Sequence, residues 1–268
     1  MRGYRQKTIP ALLERYELKF LIPAKMIEPI SAFASVYCSP DTYSDLSEDG
    51  FYRVNSLYLD SPDFLFLKMR LADLDNRINM RVRSYGDTPE LPYFLEIKQK
   101  KSGVIRKYRS AVTDKNWFKA YTEPGYMSSQ SNNTKTDINR LKFERLVFTY
   151  NAEPKILTQY LRKAMVSDVD EYARITFDKA LKYTEETLYN PIPVHNRMNA
   201  CDHTDVFEPD CEVILELKCY TASVPLWMVD MIRYFNLQRG RFSKYATGAG
   251  ELLSLHTYDT GSRISALI

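Results

Sequence analysis

The sequence predicts an α+β protein, a closed antiparallel β-barrel with a polar, basic lumen and helices packed outside. About eight segments alternate polar or charged residues with apolar ones, which is the period of a strand with one buried face. The polar positions that share a face are mostly basic, whereas a face turned to water usually mixes both signs of charge. An open sheet with its charged face in water is the alternative interpretation. The cations in phase are Lys19, Arg81, Arg83, Lys98, Lys107, Arg109, Arg162 and Arg174.

The composition is that of a soluble globular protein, the length fits one large or two small domains, and the sequence has no internal repeat or low-complexity tract. The chain has 268 residues, of which 44% are hydrophobic and 26% are charged, and this is enough to bury a core. We therefore expect one domain over residues 1–268, with its core at about 13–255. The formal net charge is only +3, so bulk electrostatics predicts no nucleic-acid partner. Any anion site must come from local clustering of cations.

The N-terminal half alternates predicted strands with predicted helices. In residues 13–22, charged residues at every second position alternate with apolar ones, which predicts a strand. Pro23 can begin a helix, and apolar residues then recur at helical spacing as far as Tyr37. Residues 61–63 (Ser-Pro-Asp) are expected to cap a helix that ends near Ala72. Further strands are predicted at 51–60 and 77–85 and, as a hairpin with a Ser-Gly turn at 102–103, within 91–112.

The C-terminal half continues the same alternation. Strands are predicted at 156–164, 172–181 and 211–219. Helices are predicted around 117–121, from about 137 to 149, at 225–235 and around 246–255, the last entered through a basic connection at 239–245. Residues 124–135 and 190–209 have the composition of loops.

Neither the N-terminus nor the cysteines indicate export. The first twenty residues contain charges but no apolar core of a signal peptide. No run approaches the roughly 18 apolar residues of a membrane span. Cys38, Cys201, Cys211 and Cys219 form no C-x-x-C pair, which favours reduced thiols. We therefore expect a cytoplasmic protein without a membrane span of its own.

The basic rows predict a ligand with several negative charges. Facing cations repel one another unless an anion neutralises them, and oligophosphate fits because Arg and Lys both bind phosphate oxygens well. Glu17, Glu96 and Glu216 lie in the same rows and could bind a divalent cation, whose shell phosphate and water would complete. Each glutamate could instead pair with the lysine two residues further on.

Motifs for other chemistry are absent from the sequence. There is no P-loop, no G-x-G-x-x-G motif and no nucleophile elbow. The segment Cys201-Asp202-His203 with Asp205 lacks the spacing of a zinc site, and we interpret it as a polar loop. The three histidines all lie outside the predicted strands, so no histidine-based catalytic arrangement is predicted.

Eight short motifs, all in the same order, match a known family. They are RYELKF at 15–20, SLYLDSPD at 56–63, RVRSYG at 81–86, LEIKQK at 95–100, YLRKA at 160–164, RITFD at 174–178, LELK at 215–218 and RFSKY at 241–245. From Arg15 to about Leu253 the chain resembles the VTC (vacuolar transporter chaperone) domain, a polyphosphate polymerase module within the triphosphate tunnel metalloenzymes.

The resemblance implies a tunnel that binds oligophosphate and a divalent metal, Mn²⁺ or Mg²⁺. It implies catalytic roles for Lys19, Arg81, Arg83, Lys98, Arg162 and Arg174. It places Lys107, Arg241 and Lys244 as substrate-binding residues, the last two as a basic pair at one tunnel end, and strand phase adds Arg109 to this group. Glu216 matches the metal-binding carboxylate, and Glu96 and Glu17 are further candidates for that role.

The family's reaction moves the γ-phosphoryl group of ATP onto a growing polyphosphate chain, which needs positioning and charge neutralisation but no protein nucleophile. Arg15 stands where the wider superfamily often has the first Glu of E-x-E-x-K, which favours phosphate binding over hydrolysis with several metals. A triphosphatase that hydrolyses inorganic triphosphate or nucleoside triphosphates, and a non-catalytic polyphosphate- or nucleotide-binding module, are the alternatives. Eukaryotic relatives carry membrane spans, so coupling to a membrane would need a separate membrane partner.

Overall fold

The computed structural model describes residues 15–102, 104–123, 126, 134–201, 213–220 and 224–260. The strands are β1 (Arg15–Ile22), β2 (Cys38–Pro40), β3 (Tyr52–Asp60), β4 (Arg77–Tyr85), β5 (Tyr93–Lys101), β6 (Val104–Val112), β7 (Glu153–Ser167), β8 (Ala173–Glu185), β9 (Asn199–Ala200) and β10 (Val213–Tyr220). The helices are α1 (Ile27–Ala34), α2 (Thr42–Asp45), α3 (Leu65–Leu71), α4 (Lys119–Thr122), α5 (Thr134–Tyr150), α6 (Leu226–Tyr234) and α7 (Lys244–Thr260).

The long strands form one antiparallel sheet in the order β1-β10-β8-β7-β3-β4-β5-β6, with β2 on β7 and β9 on β8. The strands from β3 to β6 are consecutive neighbours, and β7 and β8 form a long hairpin beside them. The first long strand lies beside the last, β10. The predicted α+β class with an antiparallel sheet is therefore confirmed, and each predicted strand has a counterpart.

The sheet curls but does not close, so the predicted closure of the barrel is wrong. In the described part of the chain, the edge strands β1 and β6 do not pair with each other. Instead, the backbone N–H of Gly240 donates to the carbonyl oxygen of Lys19 on the free edge of β1, at 2.8 Å. The Lys98 ammonium lies 2.7 Å from the Glu17 carboxylate and joins β5 to β1. The segment that contains Gly240 and the ion pair between Lys98 and Glu17 therefore lie where a closed barrel would have a continuous ladder of hydrogen bonds between β1 and β6.

The apolar rows on the convex face bury the core beneath helices, as the alternation predicts. On one half of the sheet, Leu215 and Phe177 pack into a cluster with Ile30 of α1 and Trp227 of α6. On the other half, the outward residues of β3, β4 and β5 meet α3 and α5. Burial of these side chains supplies most of the driving force for folding, and it fixes which face of each strand points inward.

One helix departs from the prediction that all helices pack outside. Tyr245, Ala249 and Leu252 of α7 pack with Tyr58 and Tyr160 on the concave face. A Cβ atom on Gly248 would lie 3.0 Å from Ile156 Cδ1 and 3.1 Å from Tyr183 Cβ, so glycine allows this close approach. The Tyr245 hydroxyl donates to Asp60 at 2.6 Å and anchors the helix to β3. Helix α7 therefore fills one end of the curled sheet.

Several predicted segments lie partly outside the described residues. These are most of the loop 124–135, residues 202–209 of the insertion, Gly103 of the hairpin turn and Cys211 at the start of the last strand. Cys38, Cys201 and Cys219 are buried, and none of these three described cysteines forms a disulfide bond. Among the helices that the structure describes, none combines the length and the apolar character that a membrane crossing requires.

Candidate functional site

A cavity of about 1800 Å³ lies against the concave face of the sheet, and all eight long strands contribute lining residues. The described lining residues include sixteen Lys or Arg but only four Asp or Glu. All ten cations predicted as site residues line it. They reach the same space because every second residue of each strand points inward and the sheet curls.

Glu96 is the centre of the largest ion cluster, in the wall formed by β4, β5 and β6. Its side chain is 2% exposed and does not line the cavity. Arg81 and Lys107 each contact it at 2.7 Å, and Arg83 and Arg109 lie 3.5 and 3.6 Å away. Burial alone would raise the pKa of Glu96, but these neighbouring cations outweigh it and hold the pKa well below its usual range. Glu96 therefore positions four cations around the cavity.

Asp178 forms a second cluster, which the sequence reasoning did not assign to the site. Arg162 donates to both carboxylate oxygens at 2.6 and 2.7 Å, and Lys244 donates to one of them at 2.6 Å. Burial would raise the pKa of Asp178, but Arg162 and Lys244 lower it to about 2. The sequence feature that could have identified Asp178 is its position on the strand, because it lies on the same face as Arg174.

Glu216 and Glu17 form the third cluster, at the cavity side of β10 and β1. The Lys19 ammonium lies between them, 3.3 Å from Glu216 and 3.7 Å from Glu17. Lys218 contacts Glu216 at 2.6 Å, which is the alternative pairing with the lysine two residues further on; Lys218 was not predicted as a site residue. Burial would raise the pKa of Glu17, but Lys98 and Lys218 outweigh it and lower the pKa to about 2. Burial would also raise the pKa of Glu216, but Lys218 and Lys19 hold it well below its usual range, so both carboxylates are ionised at neutral pH.

The two carboxylates fit a divalent cation only if substrate oxygens complete its shell. Among the described residues, no group of three or more His, Cys, Asp or Glu could hold a metal ion. Glu216 and Glu17 flank one ammonium group, and Mg²⁺ is commonly bound by one or two carboxylates together with phosphate and water. Glu96 does not fit this role, because four cations enclose it and it lies behind the cavity wall.

The remaining predicted cations differ in how firmly they are held. Arg174 contacts Asp41 at 2.5 Å, and Asp41 was not predicted as a site residue. Arg241 is 85% exposed and lies 3.1 Å from Asp73, whereas Lys244 is buried on Asp178, so the predicted basic pair is split between the rim and the floor. The buried Nε atoms of Arg83 and Arg174 have no hydrogen-bond partner among the described residues.

These clusters can bind and polarise an anion with several charges. Lysine and arginine still outnumber acids when Glu96 and Asp178 are counted with the lining. Charged donors held by buried carboxylates lose little freedom when they bind a ligand, which is the condition for preorganised electrostatic stabilisation. No Cys or His occurs among the described lining residues.

The fold and the site together define an α+β protein whose curled antiparallel sheet surrounds a cavity rich in cations. The chain belongs to the VTC domain family, whose family model matches residues 14–253. It is similar to vacuolar transporter chaperone complex subunit 4 of Trypanosoma brucei brucei, with 25% identity over 284 residues. This match covers 93% of the chain and 34% of that protein, so the chain spans about a third of the relative's length. The predicted family is thereby confirmed.

The chain is less similar to proteins of solved structure. A Bacillus halodurans protein proposed to be an adenylate cyclase is 11% identical, with a TM-score of 0.47, and the match covers 85% of this chain and 92% of that one. A proposed adenylyl cyclase from Hippeastrum with a dominant triphosphatase activity is 14% identical, with a TM-score of 0.44 and coverage of 89% and 96%. Both TM-scores are too low to define a shared fold.

Proposed function

We propose that the protein is a metal-dependent polyphosphate polymerase that transfers the γ-phosphoryl group of ATP to a growing polyphosphate chain inside the cavity. The observation that carries this proposal is the convergence of cations from seven of the eight long strands on one cavity in a VTC domain.

The reaction exchanges one phosphoanhydride bond for another. An oxygen of the terminal phosphate of the chain attacks the γ-phosphorus of ATP, the bond from that phosphorus to the β–γ bridging oxygen breaks, and ADP leaves. Arg81 and Arg83, held by Glu96, and Arg162 and Lys244, held by Asp178, bind and orient the phosphates. Their charges stabilise the negative charge that spreads over the transferred group in the transition state.

The metal site of this proposal consists of Glu216 and Glu17 with phosphate oxygens. A bound Mn²⁺ or Mg²⁺ would supply Lewis-acid polarisation of the phosphoryl oxygens. Lys19 lies between the two carboxylates and must move its ammonium toward the phosphates when a metal takes this position. We further propose that the protein works in the cytoplasm with a separate membrane partner protein, by analogy with a relative that is named as a subunit of a complex.

An end-product assay tests the function directly. Purified protein with ATP and Mn²⁺ or Mg²⁺ is expected to form long-chain polyphosphate, resolved from free phosphate by gel electrophoresis. Glu216→Gln should lower the rate by about a hundredfold or more, because loss of a metal-binding charge removes transition-state stabilisation. Glu28→Gln, whose side chain is 80% exposed away from the cavity, is the matched control and should leave the rate unchanged.

Other products would identify the alternatives. Free phosphate without polymer would replace the proposal with a triphosphatase, in which water occupies the attacking position. If neither product forms but tripolyphosphate still raises the melting temperature, the protein is a binding module without turnover. Polymer formation that survives Glu216→Gln unchanged would contradict the metal assignment.

We expect the binding of a polyanion to be coupled to protonation of Lys107. Its pKa is lowered to about 7, first by loss of hydration and then by Arg83 and Arg81, which together outweigh Glu96. At pH 8 Lys107 of the ligand-free protein is therefore only partly protonated, and a bound polyanion should raise its pKa and protonate it further. Calorimetric titration with tripolyphosphate in buffers of different ionisation enthalpy should show more protons taken up by wild type than by Lys107→Arg. Equal proton uptake in both proteins would contradict this linkage.

A further inference from the structure

Four aromatic rings form a continuous cluster in the cavity wall. Tyr43 and Tyr85 stack with their ring centroids 5.0 Å apart, and Tyr52 lies 5.2 Å from Tyr43. Phe94 meets Tyr85 edge to face at 5.8 Å. All four rings line the cavity. Tyr52 precedes Tyr58, a contact of α7, by six residues on β3, which is roughly 20 Å along the strand. The ring cluster therefore lies toward the other end of β3, where Tyr43 is 45% exposed at the cavity rim.

Arg109 joins this cluster to the phosphate-directed cations. Its guanidinium carbon lies 3.7 Å from the ring centroid of Phe94 and 5.9 Å from that of Tyr85. It donates to the Tyr85 hydroxyl at 3.2 Å and lies 3.6 Å from Glu96. The side chain is still 41% exposed. A planar cation and aromatic faces are therefore presented together, next to the cluster that positions Arg81 and Arg83.

Tyr43 is held in place although it is 45% exposed. Its short helix begins after Asp41, whose carboxylate accepts from the Ser44 backbone N–H at 3.0 Å. The same carboxylate accepts from the Tyr52 hydroxyl at 3.2 Å and from Arg174 at 2.5 Å. Asp41 is therefore a positioning residue that connects the aromatic rim to a cation of the cavity. An incidental surface tyrosine has no such support.

Phosphate alone does not account for this cluster. Phosphate oxygens need N–H donors and positive charge, and aromatic faces offer them nothing. A nucleobase is planar and stacks well on tyrosine rings and on arginine, at about 1–3 kcal/mol per base. We propose that Tyr43, Tyr85 and Arg109 form a nucleobase-stacking site at the cavity rim, so that a nucleoside triphosphate binds with its base at the rim and its phosphates inside. This inference rests on the proposed function and names the substrate class that it would use.

The contribution of the base can be isolated by calorimetry with two ligands. ATP and ribose 5′-triphosphate carry the same triphosphate and ribose, but only ATP has a base. Wild type is expected to bind ATP more tightly by about fivefold to a hundredfold at equal Mg²⁺ concentration. Tyr43→Leu, which keeps an apolar side chain against Tyr52 and Tyr85, should remove most of this preference and leave ribose 5′-triphosphate affinity unchanged. Tyr43→Phe should retain the preference.

Tyr234→Leu is the matched control, because Tyr234 is 77% exposed on α6 and does not line the cavity. It should leave both affinities unchanged. Equal affinity of wild type for the two ligands, or an equal loss of both in Tyr43→Leu, would overturn the stacking site while leaving the polymerase proposal intact. If wild type binds neither ligand, the proposed function and the stacking site are both wrong.

Discussion

Glu96→Gln is expected to lower the free energy of unfolding of the ligand-free protein by about 3 kcal/mol or more, because removing one member of a buried ion cluster leaves its partners uncompensated. Four cations surround this carboxylate, which is 2% exposed. For a domain of this size such a loss corresponds to a fall in melting temperature of about 10 °C. Tripolyphosphate should restore much of the stability, since its charges would replace that of the glutamate. Thermal unfolding with and without tripolyphosphate measures both effects.

Glu153→Gln is the control for this experiment. Glu153 pairs with Lys155 at 2.6 Å, but its side chain is 52% exposed, so the change should cost at most about 1 kcal/mol. A destabilisation by Glu96→Gln as small as that of the control would contradict the counter-ion role. If Glu96 instead ligates metal, Mn²⁺ would stabilise wild type but not the variant, and tripolyphosphate alone would not rescue it.

The inward cations were predictable because strand alternation is a local property. Arg81 and Arg83 lie two residues apart on β4, and Lys98 lies in phase on β5, so each inward row can be identified in the sequence without knowledge of the strand order. The curl of the sheet then brings the rows together around one cavity.

The partners of these cations depend on register, which one strand does not reveal. Glu96 lies opposite both Arg81 and Arg109 in the ladders, so its neighbours on adjacent strands determine its environment more than Lys98 does. A sequence pattern that places a glutamate in a basic row is equally compatible with a metal ligand and a counter-ion. Asp178 was missed for the same reason, since its contact with Lys244 spans 66 residues.

The local sequence pattern also could not predict whether the sheet closes into a barrel. Whether β1 pairs with β6 depends on the tilt and stagger of all the strands together. The segment that covers β1 instead contains Gly240, which bonds to Lys19 far away in the chain. The spacing of apolar residues predicted helix α7, but it did not indicate which face of the sheet the helix would cover. Its position on the concave face follows from packing between Tyr245, Tyr58 and Tyr160.

Arg81→Met combined with Arg83→Met is expected to weaken tripolyphosphate binding by about a hundredfold or more. Each charge-assisted hydrogen bond to an ionised group contributes about 1.5–3 kcal/mol, and about 1.4 kcal/mol corresponds to a tenfold change in affinity. Both guanidinium groups line the cavity. Glu96 keeps Lys107 at 2.7 Å and Arg109 at 3.6 Å, so the carboxylate remains paired in the variant. Calorimetric titration with tripolyphosphate gives the affinities.

The matched control is Lys163→Met combined with Lys182→Met. These lysines lie on β7 and β8 but do not line the cavity, and their removal changes the net charge by the same amount. If long-range attraction to a positive protein dominated binding, both double variants would lose affinity equally, and the loss would disappear at high salt. If fixed donors in the cavity dominate binding, only the cavity variant should lose much affinity. That loss should persist at high salt, because the contacts are made at short range inside the cavity. Equal losses in the two variants would therefore remove the main support for a specific oligophosphate site.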